Sequence, residues 1–261
     1  MKSPRLRAGR RLALFPLLLA AAPPVVPATR PEGVPPVEAA DAAVAEADLV
    51  RRLAEAAPAA DHQVLALAVR AMSCALRDPQ AGVDPRRLGV IDYSRPSTEP
   101  RLWVFDLAGG RLLFEEWVAH GRNSGDNLAR RFSNADGSHM TSLGAFAAQE
   151  TYVGGNGYSL RLRGLEPGFN DRARERAIVI HGAPYVDPVA ARLQGRLGRS
   201  LGCPAVRPQV ARPLIDSLRG GAFVFAYYPD PDWLRGSRLL AGDCAGGATV
   251  ASGAAAGGHG G

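Results

Sequence analysis

One imidazole and one thiol stand at the two ends of a closed stretch, Ala177 to Arg207. The apolar run Ala177 to Ile180 reads as a short strand that delivers His181 and Gly182 at its end. A helix-like crossover follows, and the glycine-rich turn Gly198-Arg199-Ser200-Leu201-Gly202 presents Cys203. A free thiol, with a pKa of about 8.5, is mostly protonated at neutral pH, and a histidine within hydrogen-bond reach can take its proton and make it a nucleophile. Gly202 lets the backbone approach a bound carbonyl, so the N–H groups of Gly202 and Cys203 are candidate oxyanion donors. On these two side chains alone, a buried structural cysteine near an unrelated histidine is the competing reading. Arg199 and Arg207 flank the turn; each can depress the thiol pKa, pair with a substrate carboxylate, or be solvated surface. Ser200 is grouped with the substrate-side residues, although its first use is to hold the turn.

The elements that must position these groups are legible in outline. Val37 to about Ala57 carries Val44, Leu49, Val50 and Leu53 at moderately helical spacing, and Asp61 can cap a second helix with Val64, Leu65, Val69, Met72 and Leu76 on one face. Gly82 to Pro100 reads as loop. Leu102 to Phe105 reads as a buried strand, Ala108-Gly109-Gly110 as a turn and Leu112 to Ala119 as the return strand. His120 ends it, as a substrate contact or as a loop cap. Asn127 to Met140 is polar and irregular, and His139 is expected to be exposed. Ala145 to Val153, the turn Gly154 to Gly157, and Tyr158 to Leu165 form a second hairpin. Asp187-Pro188 caps a helix in the crossover between His181 and Cys203. Pro213 to Leu218 is a helix, and Ala222 to Tyr228 an apolar strand.

These motifs together resemble the YkuD-type L,D-transpeptidases, in which a histidine followed by glycine or serine precedes a Ser/Thr-His-Gly-Cys element. Here the pieces are His181-Gly182 and Ser200-Leu201-Gly202-Cys203. Leu201 replaces the usual second histidine and Pro204-Ala205 follows the cysteine; both features resemble the murein L,D-transpeptidase catalytic domain branch, whose element reads close to Ser-x-Gly-Cys-Pro-Ala. Val118-Ala119-His120-Gly121, Asn123-Ser124-Gly125, Phe132-Ser133-Asn134, Ser142-Leu143-Gly144 and Gly154-Gly155 match in order, so the resemblance covers about Asp92 to Pro229. It implies a mainly β sandwich-like or open-barrel catalytic domain, preceded by the helical hairpin. Cys203 would attack a peptidoglycan stem peptide at the bond to its terminal D-Ala, and His181 would be the base, oriented by the Gly182 carbonyl. It also implies that the second hairpin overhangs the cleft, making Tyr152, Asn156 and Tyr158 candidate substrate contacts beside His120, Ser200, Arg199 and Arg207. A second stem amine would give a cross-link, and water a carboxypeptidase. A silent cell-wall binding protein and a thiol hydrolase of some other exported amide are the rival readings.

Composition narrows the classes. Lys2, Arg5, Arg7, Arg10 and Arg11, then the apolar Leu12 to Ala22, then Val26-Pro27-Ala28, have the three-part layout of a signal peptide over about residues 1–28. Residues 29–36 read as a tether, 37–80 as the hairpin, 81–240 as the catalytic domain and 241–261 as an Ala/Gly-rich disordered tail. An exported chain in the periplasm or cell envelope is expected. Removing the five leader cations from the formal net charge of +6 leaves +1, so the basic pI argues for no nucleic-acid partner. Lys2 is the only lysine, which excludes a catalytic lysine in the mature chain. Three cysteines, Cys74, Cys203 and Cys244, leave at least one unpaired within the chain; whether Cys74 and Cys244 pair is open. No cysteine pair has metal spacing, so no metal or cofactor is expected, and the mature chain is expected to be a monomer without a membrane span.

Overall fold

The computed structural model describes residues 37–244. The leader, the 29–36 tether and the tail beyond residue 244 lie outside the described residues. Helices α1 (Val37–Ala56) and α2 (His62–Ala75) form the expected hairpin. The Asp61 carboxylate accepts the N–H groups of Gln63 (2.7 Å) and Val64 (3.2 Å), satisfying donors that α2 itself leaves unpaired. Val50, Leu53, Leu65, Val69 and Met72 are buried in the same core as Leu88 and Trp103 of the sheet. Leu76 falls just past the last turn of α2 and is exposed, as is Val44.

Eight strands follow: β1 (Asp84–Asp92), β2 (Leu102–Asp106), β3 (Arg111–Glu116), β4 (Gly144–Gly154), β5 (Gly157–Gly164), β6 (Val179–Gly182), β7 (Ala205–Val206) and β8 (Ala222–Tyr227). They form one sheet in the order β3-β2-β1-β8-β4-β5-β6-β7. The last strand in sequence is therefore central, parallel to β1 and antiparallel to β4. Past β3, the Ala119 N–H donates to the Ala205 carbonyl of β7 (2.8 Å), so the two ends of the sheet meet and it nearly closes into a barrel. Trp103, Phe105, Phe223 and Phe225 fill the core that this curvature creates. Across β6 and β7 the pairing is parallel, which requires a crossover; it runs through α3 (Pro188–Gln194), capped by Asp187.

Two expectations are corrected, and one stretch gains elements that were not expected. The stretch read as loop contains β1. Its first half is polar and interrupted by Pro85, with Arg87 paired to Asp106 (2.6 Å), and only Leu88 to Asp92 are buried. A register shift between Asp84 and Leu88 absorbs the proline, which cannot donate to the ladder. The helix expected from Pro213 begins at Pro208 (α4, Pro208–Leu218), because Ala211, Leu214, Ile215 and Leu218 continue one buried stripe through Pro213. Residues 231–241, without an expected element, form α5 (Pro231–Gly236) and α6 (Arg238–Ala241), anchored by buried Trp233.

Cys74 in α2 and Cys244, just after α6, are joined by a disulfide (Cα–Cα 4.9 Å), which settles the open pairing and leaves Cys203 as the free thiol. The bridge closes a separation of 170 residues and ties the C-terminal turn to the hairpin. Cys74→Ser is expected to lower stability by about 2–5 kcal/mol and leave turnover at the wild-type level below its melting temperature. Thermal melts beside a turnover assay check this, and a parallel loss of activity in the folded variant would contradict it.

Candidate active site

Strand β6 carries His181 one residue from its end. His181 pairs antiparallel with Ser159 of β5 and parallel with Ala205 of β7. Cys203 lies two residues before Ala205, in the bend that leads into β7. His181 is 4% exposed, and its Nδ1 is 3.0 Å from the Gly182 carbonyl oxygen. A carbonyl can only accept, so the proton sits on Nδ1 and the Nε2 lone pair is left to act as a base. Burial lowers the His181 pKa, outweighing the Gly182 contact, which raises it. The imidazole is neutral at pH 7.

Cys203 is half-buried. Burial pushes its pKa up, opposed by the Val179 backbone and the Arg176 charge. The thiol points at the Ala177 carbonyl (Sγ···O 3.7 Å), whose residue holds a left-handed φ of +54°. The resting pair is thus neutral thiol and neutral imidazole, with proton transfer left to the reaction itself. Apo catalytic contacts of this kind commonly tighten only when substrate binds.

The turn before Cys203 is built around Ser200, which is buried. Its Oγ accepts the Gly202 N–H (3.1 Å) and donates to the Cys203 carbonyl (2.6 Å). Ser200 therefore holds the turn. The Gly202 N–H, expected to face an oxyanion, is committed to Ser200. Gly202 itself is required: at φ +128°, a Cβ there would lie 2.9 Å from the Met140 carbonyl oxygen. Thr141 braces the same turn, its Oγ1 accepting the Gly121 N–H (2.9 Å) and donating to the Gly202 carbonyl (3.3 Å). Leu201, in place of the usual histidine, is 61% exposed and removes nothing from this framework.

The other expected substrate residues are placed differently. His120 is 0% exposed; its Nδ1 meets Arg101 Nη2 at 2.8 Å and its Nε2 faces the Gly125 carbonyl at 3.3 Å. It is a buried loop cap, and burial together with the Arg101 charge holds its pKa at about 4. Arg199 donates to Asp126 (2.9 Å) and the Gly125 carbonyl (3.0 Å), and Arg207 makes a two-pronged pair with Glu116 (2.6 and 2.9 Å) against the Trp117 ring. Both arginines are occupied by structural partners. Tyr158 donates to Asp216 (2.6 Å) under Arg212, and Tyr152 lies under Arg161. Asn156 is exposed at the tip of the β4–β5 turn. His139, expected to be exposed, is half-buried beside Arg122.

Two arginines that sequence reasoning passed over sit at the centre. Arg101 is wholly buried and serves Val118, Arg95 and His120. Arg176 meets the cysteine turn. Among the many arginines of this chain their only sequence signal is position, Arg101 lying just before β2 and Arg176 shortly before β6. Among the described residues no group of three His, Cys, Asp or Glu could hold a metal ion, and no helix is long and apolar enough to cross a membrane.

His120 links this packing to pH. With a pKa of 6.5 when unfolded and about 4 when folded, it binds its proton more readily in the unfolded chain. Its contribution is intact above pH 6.5 and falls away as the pH drops toward 4, by about 3 kcal/mol; His181, also lowered, acts in the same direction. Urea titrations at pH 7 and 4.5 are expected to show this acid loss in the wild type. His120→Gln, less stable at pH 7, should show a smaller loss, and equal losses would sink the assignment.

A family model described as the L,D-transpeptidase catalytic domain matches residues 56–227. A comparison with curated protein sequences gives no match. Solved structures similar to the chain include an L,D-transpeptidase from Mycobacterium smegmatis, at 17% identity over 55% of this chain and 59% of that one, with a TM-score of 0.36. Others are L,D-transpeptidase 1 of Mycobacterium tuberculosis, at 15% identity over 55% and 62% with a TM-score of 0.32, and an L,D-transpeptidase from Stackebrandtia nassauensis, at 14% over 71% and 92% with a TM-score of 0.33. The chain spans about three-fifths of the length of the first two. With the family model covering all eight strands and both His181 and Cys203, the chain belongs to the L,D-transpeptidase catalytic domain family.

Proposed function

We propose that the protein is an exported L,D-transpeptidase of the cell envelope that acts on peptidoglycan stem peptides through a thioester at Cys203. The observation that supports this reading is a free thiol, Cys203, in the turn that leads into β7, the strand paired beside a neutral, carbonyl-oriented His181. On substrate binding the Cys203 side chain turns from the Ala177 carbonyl toward Nε2 of His181. The Sγ proton passes to Nε2 as the S–C bond forms at the carbonyl preceding the terminal D-Ala, and the Cys203 N–H supports the oxyanion. Collapse breaks the C–N bond, His181 returns the proton to the leaving amine, and a thioester remains. An amine from a neighbouring stem then attacks, gives its proton to His181 and releases the thiol, forming a cross-link.

Incubation with purified disaccharide tetrapeptide, followed by mass spectrometry, tests the reading. A cross-linked dimer with release of D-Ala is expected. Loss of D-Ala alone would assign a carboxypeptidase, and an unchanged substrate with a folded, reduced protein would refute both.

A further inference from the structure

We propose that Arg176 is the positioning cation of this site: its guanidinium, wedged between the 133–142 segment and the Gly202 turn, supports negative charge on Cys203 as the thiol is deprotonated. This rests on Cys203 being the nucleophile and assigns a residue that the motif does not contain. Nη1 donates to the Ser133 carbonyl (2.8 Å) and Ser142 Oγ (2.5 Å), and Nη2 to Ser138 Oγ (3.1 Å) and the Met140 carbonyl (2.8 Å). All four acceptors are uncharged, so these contacts fix the guanidinium without neutralising it. A Cβ on Gly202 would lie 3.5 Å from Nη2, so the guanidinium packs directly on the backbone next to Cys203.

The charges around the thiol single out this arginine. Arg199 and Arg207 are paired with Asp126 and Glu116. Arg176 feels Asp136 and Arg172 only through space, and Asp136 is exposed. Tyr93, just past β1, and Tyr185, in the segment before α3, are the phenols within electrostatic reach of Cys203; both are pushed upward by burial and stay neutral. His181 is neutral at rest. Burial of the thiol and of the imidazole each keep the proton on sulfur, and Arg176 is the cation whose field opposes this; Arg176 and Cys203 each raise or lower the other accordingly. Its backbone position reinforces the geometry, because Arg176 immediately precedes Ala177, whose carbonyl takes the resting thiol.

The test is the rate of Cys203 alkylation by iodoacetamide against pH, read by intact mass on the full chain without reductant, where Cys74 and Cys244 are protected as a disulfide. Arg176→Gln is expected to raise the midpoint by about one unit, slowing alkylation near neutral pH about tenfold, with the plateau at high pH unchanged. Arg176→Lys, which keeps the charge, should stay within about threefold of wild type, an order-of-magnitude allowance for its different reach. Loosening of the 133–142 segment alone would move the plateau and leave the midpoint. An unchanged midpoint in folded Arg176→Gln, or a Lys variant indistinguishable from Gln, overturns the proposal. Should Arg176→Gln not fold, the near absence of lysine offers a second route. Arg176→Lys can be acetylated after folding, with Cys203 masked as a mixed disulfide and wild type treated alike. The midpoint must then rise, and an unmoved midpoint again overturns the assignment. None of these readings requires turnover, so they stand apart from the test of Cys203 as nucleophile.

Discussion

Cys203→Ala is expected to lower turnover of stem tetrapeptide by more than about 10⁴-fold, to the background of the assay, because no other group supplies the nucleophile. Cys74 and Cys244 are consumed by their disulfide, and the buried Ser200 hydroxyl is spent on the Gly202 N–H and the Cys203 carbonyl. His181→Ala is expected to cost about 10²–10⁴-fold, the usual range for losing a general base. The effects should not add: once the thiol is gone, removing the imidazole has nothing left to slow. Asn at position 181 would be a sharper probe than Ala, since its amide can donate to the Gly182 carbonyl yet cannot take the thiol proton. Single-turnover mass spectrometry of the acyl-enzyme, with circular dichroism to show that each variant is folded, decides the matter. Turnover retained in Cys203→Ala would remove the proposed mechanism.

Loss of Arg101 should be the most damaging change to the frame. Its Nε and Nη2 donate to the Val118 carbonyl (3.1 and 2.8 Å), Nη1 to the Arg95 carbonyl (2.8 Å) and Nη2 to His120 Nδ1 (2.8 Å), beneath the Tyr93 ring. Burying this cation is costly, which is why its pKa falls to about 10. Replacing it with Met recovers that cost but leaves two buried acceptors and one half-buried one without this donor, at about 1–3 kcal/mol for each buried one. The acceptors outweigh the recovered desolvation, and Arg101→Met is expected to lose about 3–5 kcal/mol, a drop in Tm of roughly 10 °C or more for a chain of this size. Lysine should not rescue it, because one ammonium cannot reach three acceptors in the fork geometry of a guanidinium. The damage should extend to activity even below Tm, since the His120 carbonyl accepts the Ser200 N–H (3.0 Å) and so anchors the cysteine turn. Urea denaturation with an unchanged m-value would confirm a loss of stability, and a change below about 1 kcal/mol would show that water replaces the guanidinium.

Local chemistry made several parts of this protein readable from the chain alone. The Asp61 and Asp187 caps, the stripes of α1 and α2, the two hairpins and the strand leading to His181 follow from spacing and capping between near neighbours, which tertiary context did not override. The placement of His181 at a strand end and of Cys203 after a glycine turn was legible because strand, histidine, turn and thiol fall within thirty-one residues. Strand β1 was hidden because its half-polar, proline-bearing sequence becomes a strand only when β8, from the other end of the chain, lies alongside it. Long-range contact also decided the partners of the polar residues around the cysteine turn. His120, Arg199 and Arg207 lie close to the reactive residues in sequence or motif, but Arg101, Asp126 and Glu116 claim them. Arg176, one arginine among many, gained its place only when the fold brought the 133–142 segment and the Gly202 turn to its two sides. Residue types and their order specify what chemistry is available; which charge stays unneutralised beside the thiol depends on partners distant in sequence, and that is set by folding.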